Sequence, residues 1–335
     1  MLNVALLSKW HVHAVDYAEQ AHENPELSIE MIWDEDPNRG EEWAEELGVP
    51  FEKNLDTVLS NPNIDAVIVS TPTRLHKEVI IAAARYGKHI FTEKVLTFTT
   101  KDCEEMIEEI NKAGVQFMIS LPRLTEAYYL FAQQVIDEGL LGKLNMLRCR
   151  VAHNGAVPTD ENPKGWLPDR FFDEEACGGG SLIDLGAHPI YLANRLSSGS
   201  PTAVTGSLHS MMNRGVDDFS VAIVEYDSGI VATLESSFIS TGSPFKLELY
   251  GTEGTLLIED GHIRLKSSHL QNKDWIVPEN VPASESMPME QWVSAITSEF
   301  EPNINKEDAL LLTLINEAAA LSHKSGEKIK TNTIR

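Results

Sequence analysis

The chain is short of basic residues, cysteine and long apolar runs, and each shortage removes a class of function. Lysine and arginine number 27 against 51 aspartates and glutamates in 335 residues, a formal net charge of -24. That sign opposes general attraction to phosphate backbones or anionic lipid, so neither nucleic acid nor a membrane surface is an expected partner. The three cysteines, Cys103, Cys149 and Cys177, are odd in number and far apart. Neither a disulfide framework nor a CxxC clip is available, no metal site is expected, and a reduced cytoplasmic setting fits. No stretch approaches about 18 uninterrupted apolar residues, and the opening MLNVALLSKW has a brief apolar run without a small-residue cleavage site. Neither export nor membrane spanning is expected. What remains is an ordinary globular composition, 42% apolar and 23% charged, at a length that favours two domains.

From residue 2 to about 120 the pattern switches between short β-rich runs and longer helical periods, the signature of parallel βαβ units. Strands are predicted at Leu2 to Leu7, Ser28 to Trp33, Ala66 to Ser70, His89 to Thr92 and Gln116 to Ser120, with helices near 12–22, 38–47, 73–86 and 100–113. Gly48, Gly87 and Gly114 each sit just past a helical run. After a helix near 124–138, β-branched and alternating runs dominate 143–265, joined by turns such as Asp227-Ser228-Gly229 and Gly251-Thr252-Glu253-Gly254. Helical patterns near 288–300 and 306–324 close the chain. The predicted class is α/β: a doubly wound parallel sheet in 1–121, then an α+β domain in 122–335 with a large open, mainly antiparallel sheet. A terminal helix is expected to pack back on the first domain.

In a doubly wound sheet the turn after the first strand holds a dinucleotide's diphosphate, and it should read GxGxxG. Here Ser8, Trp10 and His13 occupy the glycine positions of Ser8-Lys9-Trp10-His11-Val12-His13. A side chain at the second position obstructs close approach of phosphate, so the turn either moves a cofactor outward or has lost it. His11, His13 or Lys9 supply charge in place of lost amides, or the histidines simply line a turn. The second strand ends in Trp33-Asp34, and a carboxylate there accepts from a ribose diol while repelling a 2′-phosphate, favouring NAD over NADP. An acidic residue after a strand also arises for trivial reasons, and Asp36 caps a helix starting at Pro37.

Three further stretches carry a resemblance: Thr71-Pro72-Thr73-Arg74-Leu75-His76, Glu93-Lys94, and Gly178-Gly179-Gly180-Ser181-Leu182-Ile183-Asp184-Leu185-Gly186-Ala187-His188. In order and placement the chain resembles the glucose-fructose oxidoreductase, inositol dehydrogenase and MocA family (Gfo/Idh/MocA), over nearly its whole length. The resemblance implies an amino-terminal Rossmann domain, a second α/β domain with a large open sheet, and NAD(P)-dependent chemistry on sugars or cyclitols. It implies Lys94 as the lysine that hydrogen-bonds the reacting hydroxyl, Asp184 as the carboxylate that positions it, and His188 as the acid/base. Thr71, Pro72 and His76 would line the nicotinamide side, with Glu93 beside the lysine. Two departures stand out: the glycine fingerprint is absent, and the family's Glu-Lys-Pro reads Glu93-Lys94-Val95. A homodimer or homotetramer is implied, because sheet faces pair in this family.

The chemistry is consistent from the residues up. Alcohol oxidation needs a base within hydrogen-bond reach of the hydroxyl and a positive donor for the developing oxyanion, roles suited to histidine and lysine. Asp184 and His188, four apart, share a face on a continuous helix. Pro189 argues instead for a helix beginning near His188. Taken singly, each residue has a bland reading as a solvated charge, a satisfied histidine or a turn; their joint occurrence near an interdomain cleft is what points to catalysis. Arg123, after the strand ending at Ser120, and Trp166 and Arg170, in the loop before the glycine run, are substrate-contact candidates, with His153 and Tyr191 ranked behind them. The expected activity is an NAD-dependent sugar, polyol or cyclitol dehydrogenase. A redox-neutral glycosidase or epimerase-like enzyme that retains NAD, and a non-catalytic ligand-binding descendant, are the alternatives.

Overall fold

The run Ala66-Val67-Ile68-Val69 is buried along its whole length, as a strand covered by helices on both faces must be. In the computed structural model, which describes residues 1–334, it lies at the centre of a five-stranded parallel sheet. The strands are β1 (Leu2–Leu7), β2 (Leu27–Trp33), β3 (Ala66–Val69), β4 (His89–Thr92) and β5 (Phe117–Ile119), ordered β2-β1-β3-β4-β5. The crossovers carry α1 (Ala14–Glu23), α2 (Pro37–Leu47), the short α3 (Leu55–Ser60), α4 (Thr73–Arg85) and α5 (Thr100–Ala113). Because the winding reverses between β1 and β3, the loops after those two strands flank the switch point, where ligands bind in such sheets.

Local chemistry sets the helix ends. The Asp36 carboxylate accepts from the amides of Asn38 and Arg39 with Pro37 in the first turn of α2, a cap worth about 1 kcal/mol. Gly48 and Gly114 end α2 and α5 at φ of 69° and 66°, the left-handed conformation that glycine adopts without penalty.

The second unit contains α6 (Ala127–Asp137), β6 (Leu144–Ala152), the short helices α7 (Glu174–Cys177) and α8 (Ser181–Asp184), and α9 (Ala187–Leu196). Strands β7 (Pro201–His209), β8 (Phe219–Tyr226), β9 (Val231–Ser237), β10 (Phe245–Gly251), β11 (Gly254–Glu259) and β12 (His262–Ser267) follow. Next come α10 (Pro288–Thr297), α11 (Lys306–Ser325) and the two-residue β13 (Ile329–Lys330). The sheet is eight-stranded, ordered β12-β11-β10-β6-β9-β8-β7-β13. Its pairs are antiparallel except β6 with β9, which run parallel. This exception to the hairpin pattern arises because the chain passes through α7–α9 and two further strands between them, a crossover rather than a turn. Leu147, Cys149, Ala222, Val224, Ala232 and Leu234 are buried on one face, while Met146, Val221, Ile223 and Val231 are exposed on the other.

Residues Met1–Leu121 and Ser286–Leu310 form one compact unit; 122–285 and the chain from Leu311 onward form the other. α10 belongs to the first, where the fully buried Trp292 meets Phe91 of β4 at a ring-centroid separation of 5.7 Å. Among the described residues no helix is long and apolar enough to cross a membrane.

Candidate active site

In the first unit the turn after β1 is held by its own hydrogen bonds. Ser8 adopts φ 79°, and its Oγ accepts from the Trp10 amide at 3.1 Å. The Lys9 amide donates to Asp34 Oδ2 at 2.8 Å, the His11 amide to the Ser70 carbonyl at 3.1 Å, and the His13 amide to His11 Nδ1 at 3.2 Å. Among the described residues, only the Val12 amide of residues 9–13 makes no hydrogen bond. The amides that a glycine-rich turn would offer a diphosphate are thus mostly spent internally, and Trp10 is buried in the turn.

Asp34, at the end of β2, is equally engaged. Its Oδ2 also accepts from Arg39 Nε at 2.9 Å, and its Oδ1 from the Asp36 amide at 2.8 Å and Arg39 Nη2 at 2.5 Å. Arg39 Nη2 also reaches Glu35 Oε1 at 2.6 Å. Burial raises Glu35 above the usual carboxylate value, opposed by Ser8 and by Arg39. Any ribose contact here involves the Asp34–Arg39 pair rather than a bare carboxylate. Arg39 escaped the sequence reading because no motif ties it to Asp34.

After β3 and β4 the loops carry Thr71, Pro72, Glu93 and Lys94. Thr71 Oγ1 is buried without a hydrogen-bond partner among the described residues, and Pro72 precedes α4 as its cap residue. His76 is buried, with Nδ1 3.1 Å from the carbonyls of Val95 and Leu96 and Nε2 3.1 Å from that of Thr71. It ties the two loops together. Burial lowers its pKa despite those hydrogen bonds.

Glu93 is buried, and its Oε2 lies 3.0 Å from His13 Nδ1 and 3.5 Å from His11 Nδ1 while accepting the Tyr17 hydroxyl. Its Oε1 accepts the Lys94 amide at 2.9 Å. Burial alone would raise this carboxyl, but His11, His13 and Lys94 outweigh it and hold it well below its ordinary value. Burial lowers His13, yet its hydrogen bond to Glu93 and the charge behind it leave the imidazole raised overall. Lys94 is buried and joined to Val95 by a cis peptide bond. Tyr17, one helical turn beyond His13, carried no sequence signal.

In the second unit Gly178, Gly179 and Gly180 adopt φ of 81°, 56° and 95°. A Cβ on Gly180 would stand 2.2 Å from Asp217 Oδ1, and one on Gly179 2.6 Å from Val216 Cγ1. Asp217, which the sequence did not single out, receives the Ser181 hydroxyl at 2.7 Å and the Leu182 amide at 2.9 Å, starting α8. Asp184 ends α8 and His188 is the second residue of α9, so the two lie on successive helices, the second starting near Pro189. His188 Nδ1 lies 2.8 Å from the Tyr191 hydroxyl, which accepts the Arg123 amide at 3.3 Å. The direction of that bond follows the imidazole tautomer: with Nδ1 as the donor, the Nε2 lone pair is the proton acceptor.

Arg123 reaches Tyr128 Oη at 3.3 Å and lies over the Phe245 ring at 4.9 Å. His153 stacks on Phe238, its centroid 5.2 Å away at 8°, and meets Trp166 at 4.6 Å. Burial lowers the His153 pKa, with Asp184 opposing, so the structure brings together His153, Trp166 and Asp184. Trp166 is 55% exposed, which marks it as a surface aromatic rather than core. Arg170, half-buried, lies in a single 3-10 turn over Asp169–Phe172.

Residues 12–121 match the family model described as "Oxidoreductase family, NAD-binding Rossmann fold", and 129–257 match "GFO/IDH/MocA C-terminal domain". The scyllo-inositol 2-dehydrogenase (NAD(+)) of Bacillus subtilis (strain 168) is 26% identical, covering 93% of this chain and 91% of that protein. The 2,7-anhydro-N-acetylneuraminate hydratase of Escherichia coli (strain K12) is 33% identical, over 67% of this chain and 59% of that protein. A levoglucosan dehydrogenase solved with NADH and L-sorbose superposes at a TM-score of 0.82 with 20% identity, covering 98% of both chains. At that identity the likeness speaks for the fold alone.

Proposed function

The chain belongs to the Gfo/Idh/MocA family of NAD-binding oxidoreductases, and on that premise we propose that it moves a hydride between the hydroxyl carbon of a sugar, polyol or cyclitol and nicotinamide. The observation that carries the reading is the loop after β4. A buried lysine follows a buried, ionised glutamate at the carboxyl end of a parallel strand. A lysine is seldom buried without a task that offsets the loss of hydration.

Ser8, Trp10, His11, His13, Thr71, Pro72 and Glu93, with Asp34 through Arg39, would hold the dinucleotide, whose nicotinamide supplies the hydride acceptor or donor when bound. The unpartnered Thr71 hydroxyl and the uncommitted Val12 amide fit such a ligand. His76 acts one step back, fixing the loops on which Thr71 and Lys94 sit. Lys94 donates to the reacting oxygen and stabilises its negative charge. His188 takes the hydroxyl proton on its Nε2 lone pair while its Nδ1–H donates to the Tyr191 hydroxyl, and returns that proton in the reverse direction; Asp184 orients the substrate hydroxyl. Arg123, Trp166 and Arg170 contact the substrate.

A panel of polyols and sugars with NAD, followed at the reduced-nicotinamide absorbance, tests this. Lys94→Ala and His188→Ala are expected to slow hydride transfer by about 10²–10⁴-fold with little change in dinucleotide affinity; full activity in either would end the assignment. The hydratase relative favours a second reading, a net redox-neutral reaction with retained cofactor. Substrate turnover without release of NADH would select it. Self-association through the open sheet face around Met146, Val221, Ile223 and Val231, and a cytoplasmic setting, belong to the same reading; sedimentation equilibrium checks the first.

A further inference from the structure

We propose that His11, His13 and Glu93 form a binding site for a divalent transition-metal cation such as zinc, at the start of α1. The same three side chains stand in the turn assigned above to the dinucleotide, so the metal site is proposed for the chain without dinucleotide, with donors fixed by the first unit alone. Two imidazoles come from the turn after β1 and the carboxylate from the end of β4, and their ligand atoms all lie within 4.8 Å of one another. Both Nδ1 to Oε2 separations, 3.0 and 3.5 Å, match what neighbouring donors show around one metal with bonds of about 2.0–2.2 Å. Two histidines and a carboxylate are a donor set that first-row cations take up, with positions left for water or an anion.

His11 Nδ1 accepts the His13 amide at 3.2 Å, a long bond that ligation through Nδ1 would replace, because a ring nitrogen has one lone pair. The carboxylate is also oriented in the manner of a metal ligand, with the Tyr17 hydroxyl on Oε2 and the Lys94 amide on Oε1. His13 is 43% exposed at its side chain, against 7% for His11 and 2% for Glu93, which gives the cation a way in past one ligand. The Lys94 ammonium opposes a dication here, so an anionic ligand in the open positions would complete the charge balance; the acidity of the whole chain favours cation accumulation.

The test is titration of the untagged, chelator-treated chain with cobalt(II), read by visible ligand-field absorption. The expected result is about one equivalent bound at a nitrogen- and oxygen-liganded site. His13→Gln, a half-exposed position whose fold circular dichroism can verify, is expected to lose at least about 100-fold in affinity, more than removal of an orienting partner typically costs. Zinc is expected to raise the thermal midpoint of the parent chain and not of His13→Gln. No ligand-field band at excess cobalt, or the same band and affinity in a folded His13→Gln, would overturn the proposal and leave the cluster a hydrogen-bonded ion network.

Discussion

Ser8 sets two effects against each other at a single position. Its φ of 79° costs an L residue about 1–2 kcal/mol, while its Oγ holds the Trp10 amide and the Arg39 guanidinium, bonds worth about 0.5–1.5 kcal/mol each. Ser8→Gly removes both strain and bonds and is expected to stay within about 1 kcal/mol of the parent. Ser8→Ala keeps the strain and loses the bonds, so it should fall about 1 kcal/mol or more below. Urea unfolding midpoints decide, and an alanine variant as stable as the glycine variant would contradict this account. That the turn lacks glycine was legible in the sequence. What was hidden is that its amides are consumed, because their acceptors, Asp34 and Ser70, arrive from other strands. The His11–His13–Glu93 cluster was hidden for the same reason: a CxxC clip announces itself by spacing, whereas this carboxylate enters from β4.

Among the elements, α4 does more than cross from β3 to β4. Through His76 its first turn grips the carbonyls of Val95 and Leu96 on one side and Thr71 on the other. Burial depresses this imidazole, so between its lowered value and about 6.5 the unfolded chain holds more protons than the folded one. The stability His76 contributes is therefore complete above that interval and is lost as pH falls through it. Thermal midpoints at about pH 7.5 and 5.5 should differ less in His76→Gln than in the parent; an equal difference in both would refute the assignment. The βα alternation of the first unit was readable because buried parallel strands are continuous apolar runs ended by helix-terminating glycines such as Gly48 and Gly114. The parallel β6–β9 pair was not, since strand neighbours across a long crossover leave no local mark. The six-residue α3 is likewise too short to show a helical period.

Across the whole molecule the three thiols report on packing. Cys103 and Cys149 are buried and Cys177 is partly exposed, and burial pushes Cys149 up to about 12. A disulfide reagent at neutral pH should modify Cys177 alone in the folded chain and all three once unfolded; two or more fast-reacting thiols in the native state would show that the interior is looser than described. The residues Lys94, Asp184 and His188 were legible as motifs, while Tyr17, Arg39 and Asp217 became visible only through the folded geometry. One feature of the second unit also bears on how such a chain can drift over generations. At Gly179 and Gly180 every possible replacement adds a carbon where Val216 and Asp217 already stand, on a backbone of the wrong hand for it. No codon change leads out by small steps, so selection for a folded chain leaves these two letters in place while the helices around them are rewritten.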